Sequence, residues 1–395
     1  MFVLDYVRTP RGRAAATGGL HHRTPLDLVG SLLDACAERN RLADDDVDDL
    51  ILGVASQSGE QGADLARTAA VLAGWLRVPG ATVNRFCASG IDAVSWGAAK
   101  IGAGQADLII AGGVESVSRV PIFSDGGALW ADADVRAAVG SIHMGIAADI
   151  NATIDGWTRE ELDDYALRTH AKSTVARAAG AFDRALIPQP GADRGPGLDH
   201  DELVRPGLTA EALAGLRPAF ADFGDQDALV AQKRPEFGPI DHVHTVGTSP
   251  AMADAAALLL LGDEATANRL GVEPRARIVA AAATADDPVI MLTAGQRAAE
   301  AVIDAARLSP DDVDVFEFAE AFAALCLRFS RDLRVGDDRL NPNGGTMASG
   351  HAFGATGAIM VGGCVDELHR RGGRYGVAAV SGAAGVGSAV LVERL

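Results

Sequence analysis

The two halves of this 395-residue chain repeat one order of sequence patterns. In each half, an apolar-periodic helix leads through a short turn and an Asp-Asp-Val-Asp group into a strand-like run, at Leu32–Leu52 and again at Val302–Phe318. A helix of small residues and a buried strand follow in each half, the strands being Ala106–Gly112 and Tyr375–Ser381. Chance similarity of alanine-rich helices is the alternative, and the shared order argues against it. We therefore predict two copies of a βαβ-rich unit, with helices covering mixed, mostly parallel sheets.

Between the two copies lies a region of different composition, roughly Arg119–Val246. Eight of the sixteen prolines fall between Ile187 and Pro250, and one clear helix, Arg159–Ala179, stands among segments that are typical of loops. Such an insertion usually covers a binding site rather than building the core. We expect a first half made of residues 1–118 and about 247–268, a cover made of residues 119–246, and a second half made of residues 269–395.

The composition excludes several classes of protein. Acidic residues outnumber basic residues by 53 to 35, which gives a net charge of −18. This excess argues against a general surface for nucleic acid or anionic membrane, but not against one basic patch for a small anion. No Gly-Lys-Ser/Thr occurs, so a phosphate-binding P-loop is excluded. The longest apolar run, near Ala255–Leu261, is too short to span a bilayer. The first residues lack a signal-peptide pattern, so we expect a cytoplasmic protein.

The four cysteines are far apart and form no Cys-x-x-Cys pair, so we expect neither a disulfide framework nor a metal site. Cys326 and Cys364 lie on apolar helix faces, which favours a place in the core. Cys87 differs, because it follows a short extended run and precedes a helix of small residues from about Ala88 to Ile101. The positive end of a helix dipole favours a thiolate there, which makes Cys87 a candidate nucleophile. A buried structural cysteine is the alternative.

The second copy supplies a histidine at the matching place. The glycine-dense loop Asn341–Gly357 leads into a helix and contains His351, just after the residue that corresponds to Gly90 of the first copy. Two related helix starts that face each other across a pseudo-twofold axis would bring His351 close to Cys87. A cysteine and a histidine then form a nucleophile and its base. The alternative is a structural histidine whose ring nitrogens are hydrogen-bonded within the core.

Five ordered blocks resemble the thiolase family, and together they extend over nearly the whole chain. Asn84–Gly90 resembles the family's Asn-Arg-x-Cys-x-Ser-Gly block, and Ala111–Ser118 resembles its Gly-Gly-x-Glu block. His143–Asp149 is similar to the His-Met-Gly-x-Thr-Ala-Glu segment of the family's loop domain. Glu317–Ala323 is similar to Glu-x-Asn-Glu-Ala-Phe-Ala, and Asn341–Gly357 to the block that contains Gly-His-Pro.

The resemblance implies a five-layer α/β/α/β/α fold with two similar halves and a covering loop domain. It implies acyl transfer through a cysteine thioester, either in thiolysis of a 3-ketoacyl-CoA or in the reverse Claisen condensation. Coenzyme A would carry the acyl group, and no permanently bound cofactor is implied. Cys87 would form the thioester, His351 would accept its proton, and the backbone N–H groups of Cys87 and Ala383 would hold the oxyanion. A homodimer or a dimer of dimers is implied as well.

The resemblance also assigns residues to the CoA ester. His143 and Met144 belong to a block that borders the substrate pocket, and Phe322 belongs to the Asn-Glu-Ala-Phe block. Arg217 resembles a loop-domain arginine near the ADP part of CoA, and Ser249 resembles the turn beside the pantetheine. A solvated surface charge is the alternative for Arg217.

Two positions depart from the family's pattern. Ser381 stands where catalytic thiolases carry a second cysteine, and a hydroxyl is a far weaker acid than a thiol. We keep Ser381 as a site residue that could orient a water. Ala319 stands where the family has Asn or His, and loss of one donor to a developing oxyanion commonly costs about 10²–10³ in rate. Both positions serve the carbon–carbon step, whereas Cys87 and His351 serve acyl loading.

Three functions stay open on the sequence. The first is a thiolase-type acyltransferase that is impaired or different in the carbon–carbon step. The second is a subunit that binds acyl-CoA or a partner chain without turnover, which rests on Ser381 and Ala319. The third is a hydrolase or retro-aldol enzyme on the same scaffold, although no Gly-x-Ser-x-Gly supports a serine hydrolase.

Overall fold

The computed structural model describes residues 1–43, 45–192 and 197–395. Asp44, in the first repeated segment, and residues 193–196, in the expected cover, lie outside the described residues. The strands are β1 (Phe2–Arg8), β2 (Gly12–Arg13), β3 (Asp49–Gly53), β4 (Gly80–Val83), β5 (Leu108–Glu115), β6 (Ala253–Gly262), β7 (Ala276–Ala285), β8 (Val315–Phe318), β9 (Tyr375–Ser381) and β10 (Val386–Arg394).

Helices precede, follow and separate these strands. They are α1 (Pro25–Asn40), α2 (Leu65–Leu72), α3 (Ser89–Gly102), α4 (Ala128–Ala131), α5 (Ala133–Val139), α6 (Met144–Asp155), α7 (Arg159–Ala178), α8 (Ala210–Ala214), α9 (Gly224–Lys233), α10 (Glu264–Leu270), α11 (Ala294–Ala305), α12 (Ala323–Leu333), α13 (Thr346–Ser349) and α14 (Phe353–Arg371). None of the helices in the described ranges is long and apolar enough to cross a bilayer.

The strand order repeats in the two halves of the sheet. The order across the sheet is β4-β3-β5-β6-β1-β7-β10-β9-β8. Counted inward from the β4 edge, the first half contains the series β3-β5-β6-β1. Counted inward from the β8 edge, the second half contains the corresponding series β8-β9-β10-β7. The halves meet where β1 pairs with β7, through Phe2–Arg277 and Val3–Ala276. Phe316 of β8 also forms an isolated parallel bridge with Leu340, in the place that β4 takes beside β3. The domain boundaries expected from the sequence stay a prediction.

The sheet is mixed, as expected, but the expectation of mostly parallel pairing is wrong. Among the described strands, three pairs are parallel and six are antiparallel. Parallel neighbours need a crossover connection. α2 lies between β3 and β4, α2 and α3 lie between β3 and β5, and α12–α14 lie between β8 and β9. β9 and β10 are instead joined by the tight turn Ala383–Gly385, which makes them antiparallel neighbours.

Three hydrophobic clusters on the faces of the sheet define five layers. Successive residues of a strand point to opposite faces. In β5, Leu108 belongs to an outer cluster with α1 and α2, while Ile109 belongs to the central cluster with α3 and α14. In β9, Ala379 belongs to the other outer cluster with α11 and α12, while Val380 belongs to the central one. The order is therefore helix, sheet, helix, sheet, helix, which confirms the predicted α/β fold class.

The first turns of α3 and α14 touch in the central layer. A Cβ atom on Gly90 of α3 would lie 2.7 Å from both the Gly354 carbonyl oxygen and the Ala358 nitrogen of α14. Real Cβ atoms do not come this close to backbone, so only glycine permits the contact. The helix starts that follow Cys87 and His351 therefore lie side by side.

The region between the halves contains more helix than expected. α7 matches the helix predicted at Arg159–Ala179, but α6 was expected to be loop. Eight of the twelve residues of α6 are buried, so tertiary packing rather than an amphipathic pattern holds it. Its sequence mixes small and β-branched residues without a polar face, and this is why periodicity did not reveal it.

Candidate active site

Cys87 stands at the end of a strained turn between β4 and α3. Phe86 has a φ of 51°, in the left-handed region, which costs an ordinary residue roughly 1–3 kcal/mol. Asn84 Oδ1 accepts the Phe86 N–H at 2.8 Å. Ser89 Oγ accepts the Arg85 N–H at 2.8 Å and donates to the Phe86 carbonyl at 2.6 Å. The Asn and Ser of the cysteine block therefore hold the turn that presents Cys87.

The Cys87 thiol is buried and is a thiol at neutral pH. Burial raises the pKa of Cys87 to about 12, and the nearby Glu115 carboxylate adds to the rise. Burial and the Glu115 carboxylate therefore both oppose the thiolate that was expected at the start of the helix. A nucleophilic role for Cys87 would therefore require a base that takes the thiol proton.

Glu115, at the end of β5, ties this region to α14. Its carboxylate accepts the N–H groups of Ala55 at 2.9 Å, Ser56 at 3.1 Å and Gly354 at 2.9 Å, and the side-chain amide of Gln61 at 2.6 Å. Burial raises the pKa of Glu115, while these four donors favour the carboxylate. The resemblance places this residue in a family block, but its role as a link between the loop after β3 and the start of α14 is visible only in three dimensions.

His351 is buried just before α14. Its Nδ1 lies 3.0 Å from the Thr356 hydroxyl, and its ring lies 4.7 Å from the ring of Phe353, between centroids. Burial, together with the positive charge of Arg11, lowers the pKa of His351 to about 4. The imidazole is therefore neutral at neutral pH. If Nδ1 donates to Thr356, Nε2 is left as a proton acceptor.

Thr356→Val is expected to slow acetyl transfer from acetyl-CoA to Cys87 by about tenfold, because His351 loses the hydroxyl that orients its ring. The rate is measured by quenching the reaction and weighing the intact protein at saturating acetyl-CoA. Thr356→Ser keeps the hydroxyl and serves as the matched control, with a rate close to that of the wild type. A valine variant as fast as the serine variant would show that Thr356 does not position the base.

A cavity of about 30 Å³ lies over Cys87. It brings together Cys87, Ala383, Met144 and Phe353, and the last of these contacts the His351 ring. Ala383 has no positive φ, unlike the following Ala384 at 54°, so alanine is tolerated there as expected. Within the described residues, the Ala383 N–H donates to no protein group. The remaining walls are mainly apolar and include Ala55, Phe86, Ile122, Phe123 and Trp130.

Ser381 is buried, but its hydroxyl is engaged outside this cavity. Its Oγ donates to the Leu292 carbonyl at 2.7 Å and accepts the Gly295 N–H at 2.9 Å. Gly295 lies in the first turn of α11, and Thr293 gives that helix no side-chain cap, so Ser381 acts as the cap. Within the described residues, Ser381 does not line the cavity over Cys87. The structure therefore engages its hydroxyl with two backbone groups at the start of α11.

Ala319 faces the central layer in which Cys87 lies. It is buried, and its N–H donates to the Ala379 carbonyl at 2.9 Å. Its methyl group belongs to the same hydrophobic cluster as Cys87, Ala352 and Phe353. A donor side chain at this position would point into the centre of the molecule, and the alanine supplies none.

The residues expected at the CoA ester lie in three places: the cavity over Cys87, a nearby aromatic cluster, and the exposed surface. Met144 lines the cavity over Cys87. His143, the residue before it, caps α6 by accepting the Gly145 N–H at 3.0 Å. Its ring stacks on Phe223 at 4.9 Å between centroids, within an aromatic cluster that also holds Phe322 through a contact with Phe220. Burial lowers the pKa of His143.

Ser249 joins the aromatic cluster through its turn. Its hydroxyl donates to the Thr245 carbonyl at 2.7 Å, and the adjacent Thr248 carbonyl accepts the Ala323 N–H at 3.2 Å, next to Phe322. Arg217 stands apart, since its side chain is 86% exposed and, among the residues that the structure describes, forms an ion pair only with the similarly exposed Asp222, at 3.3 Å. Its guanidinium is therefore accessible to a phosphate in solvent.

Arg217→Ala is expected to raise the KM for acetyl-CoA by about two- to fivefold, because an exposed ion pair contributes only about 0.2–1 kcal/mol. The rate of Cys87 acylation at saturation should not change. Arg77→Ala, at another exposed arginine, is the control and should leave KM as it is. An unchanged KM in Arg217→Ala would remove this residue from the CoA site.

Two family models match most of the chain. A family model described as "Thiolase, N-terminal domain" matches residues 1–229, and one described as "Thiolase, C-terminal domain" matches residues 272–394. The chain belongs to the thiolase family, whose members are acyl-CoA acyltransferases that work on CoA thioesters.

Individual relatives agree with this assignment. The chain is 35% identical over 401 residues to a 3-ketoacyl-CoA thiolase of Klebsiella pneumoniae, with 100% of this chain and 99% of that protein covered. It is 34% identical to a 3-ketoacyl-CoA thiolase of Aliivibrio fischeri, with 99% and 98% covered. The crystal structure of an acetyl-CoA acetyltransferase of Bacillus anthracis superposes with a TM-score of 0.86 at 31% identity, with 100% and 98% covered.

Proposed function

We propose that this chain transfers acyl groups between CoA thioesters through a thioester on Cys87, and that its carbon–carbon step is slow. The reaction would be thiolysis of a 3-ketoacyl-CoA or the reverse condensation. The observation that carries the proposal is the cavity shared by Cys87, the free N–H of Ala383 and Phe353, which contacts the His351 ring.

Acyl loading uses groups that this chain retains. Cys87 Sγ attacks the thioester carbonyl, His351 Nε2 accepts the thiol proton, and the N–H groups of Cys87 and Ala383 stabilise the oxyanion. When the oxyanion collapses, the CoA thiolate leaves and takes the proton from the imidazolium. The imidazole is neutral at neutral pH, so its Nε2 can accept the thiol proton, and the raised pKa of the Cys87 thiol explains why a base is needed.

The carbon–carbon step needs groups that this chain lacks. When the C2–C3 bond of a 3-ketoacyl-CoA breaks, the leaving enolate needs donors on its oxygen and a proton on its carbon. Ala319 offers no donor, and the Ser381 hydroxyl is engaged with Leu292 and Gly295. Acetyl exchange between acetyl-CoA and CoA involves no such bond, so it should be faster than thiolysis.

Two substrates separate the half-reactions. The protein is incubated with acetyl-CoA, or with acetoacetyl-CoA with and without added CoA; free CoA is followed, and the intact protein is weighed and digested. An acetyl group on the Cys87 peptide with both substrates, formed more slowly from acetoacetyl-CoA, supports the proposal. Ordinary thiolase rates with acetoacetyl-CoA would contradict the slow carbon–carbon step, and no adduct with either ester would contradict acyl transfer.

A second candidate function is an acyl-CoA-binding or scaffolding subunit that acts with a partner chain. The structural role of Ser381 as a helix cap favours it, because that role uses the hydroxyl without chemistry. The absence of any adduct together with saturable acetyl-CoA binding would favour this candidate. Assembly as a homodimer or a dimer of dimers and a cytoplasmic location are further proposals that rest on the family pattern.

A further inference from the structure

Arg11 is a buried arginine that the family blocks do not include. It lies between β1 and β2, with only 9% of its surface exposed. Its backbone N–H donates to Asp201 Oδ1 at 2.9 Å. Asp201 also accepts two hydrogen bonds from the Arg8 guanidinium, at 2.7 and 3.1 Å. A buried ion pair therefore fixes the backbone from which the Arg11 side chain extends.

The Arg11 guanidinium reaches the loop that ends at His351. Its Nη1 donates to the Ser349 hydroxyl and, at 3.3 Å, to the Gly350 carbonyl. Within the described residues its Nε has no hydrogen-bond partner. The side chain lines a second cavity of about 40 Å³, together with Glu317 and Ser349. The Arg11 side chain therefore donates hydrogen bonds to the two residues immediately before the histidine.

The peptide between Gly350 and His351 needs such a partner. Gly350 has a φ of 106°, and a Cβ atom there would lie 2.7 Å from the Ala253 Cβ, so the position requires glycine. Glycine leaves the backbone with much conformational freedom. On the far side of the peptide, the His351 N–H donates to the Ala251 carbonyl at 2.8 Å. Arg11 supplies the hydrogen bond on the near side.

Arg11 also acts on His351 through its charge. Its guanidinium bonds the two residues before His351, and burial together with this charge lowers the pKa of His351. Arg11 itself faces the charged groups Asp201 and Arg8 and the titratable groups Tyr6 and Glu317. An imidazolium at His351 would be repelled by a guanidinium that cannot lose its proton.

We propose that Arg11 is a positioning residue that fixes the Gly350–His351 peptide, and with it the imidazole, for proton transfer from Cys87. This inference rests on the proposed function for the role of His351, but it concerns a residue outside every motif of that function. Position and charge oppose each other in their effect on rate. Loss of the charge strengthens the base, whereas loss of the hydrogen bonds misplaces it, and a misplacement of about 1 Å can cost about 10²-fold in rate.

The test measures Cys87 reactivity as a function of pH in Arg11→Met and Arg11→Lys. Two readouts are used after rapid pH jumps, namely acetylation by acetyl-CoA and alkylation by iodoacetamide. Alkylation needs no CoA ester, so it still reports on Arg11 if acyl transfer itself fails. Arg13→Met, at an exposed arginine two residues away on β2, is the matched control and should behave as the wild type.

For Arg11→Met we expect two changes in the pH–rate profile of Cys87. The plateau rate should fall by about tenfold or more. The pH at which the rate falls off on the acid side should rise from about 4 toward the ordinary pKa of histidine. The sign follows because His351 accepts a proton only above its pKa, which rises when the guanidinium is removed. Arg11→Lys should lower the plateau and leave the fall-off on the acid side at the same pH. A plateau at or above the wild-type rate in either folded variant overturns the proposal. If Arg11→Met does not fold, the plateau of Arg11→Lys decides alone.

Discussion

Replacing Cys87 by alanine is expected to abolish acyl transfer, with a loss of at least about 10⁴-fold. The cysteine carries the one thiol in the described lining of the cavity that also contains Ala383, so no other group there can form a thioester. The measurement is CoA release from acetyl-CoA together with the intact mass of the protein.

The control for this variant is Cys36→Ala, which removes a thiol buried in an outer cluster beneath α1. It should retain acetylation, even if the core loses some stability. Circular dichroism and thermal unfolding show whether both variants fold. An acetyl group that still attaches to Cys87→Ala at the wild-type rate would place the nucleophile elsewhere.

Restoring a thiol at position 381 and an amide at position 319 is expected to accelerate thiolysis of acetoacetyl-CoA. The double variant Ser381→Cys, Ala319→Asn should gain about 10²-fold, since one donor to a developing oxyanion is commonly worth about 10²–10³ in rate. The acetyl exchange rate should change little, because acyl loading uses Cys87 and His351. The two rates are measured on the same preparation, thiolysis by the consumption of CoA with acetoacetyl-CoA and exchange by the transfer of labelled CoA.

This gain has a cost in stability that the structure explains. The Ser381 hydroxyl caps α11 and bonds the Leu292 carbonyl, and loss of a helix cap costs about 1 kcal/mol. An amide buried at position 319 costs about 1–3 kcal/mol if it finds no partner. Ser381→Ala is the control, with the same loss of the cap and no gain in thiolysis. A folded double variant that cleaves acetoacetyl-CoA no faster than the wild type would show that these positions do not limit the carbon–carbon step.

Several features of the fold could be predicted because they depend on local pattern. The repeated order of elements gave the two related halves of the sheet, and α7 and β9 lie almost where their hydrophobic periodicity indicates. α6 could not be found in this way, because a helix buried on most sides has no polar face. The antiparallel pairing of β9 with β10 depends on the short turn Ala383–Gly385, which a βαβ pattern does not contain.

In the candidate site, too, local motifs could be predicted from the sequence, whereas contacts between distant segments could not. Cys87 and His351 are recognisable from their motifs, and the start of each helix that follows them lies against the other, as the duplication implies. The direction of the Cys87 pKa shift could not be predicted, because burial depends on residues distant in sequence, such as Glu115. The bonds of Ser381 to α11 and of Arg11 to Gly350 likewise join segments 86 and 339 positions apart.

The ratio of acetyl exchange to thiolysis tests the central claim most directly. Wild-type protein is supplied with labelled CoA and either acetyl-CoA or acetoacetyl-CoA, and both rates are measured at saturation. We predict exchange through an acetyl group on Cys87 that is at least about tenfold faster than thiolysis, because Ala319 and Ser381 affect only the carbon–carbon step. Thiolysis as fast as exchange, or no exchange at all, would contradict this account.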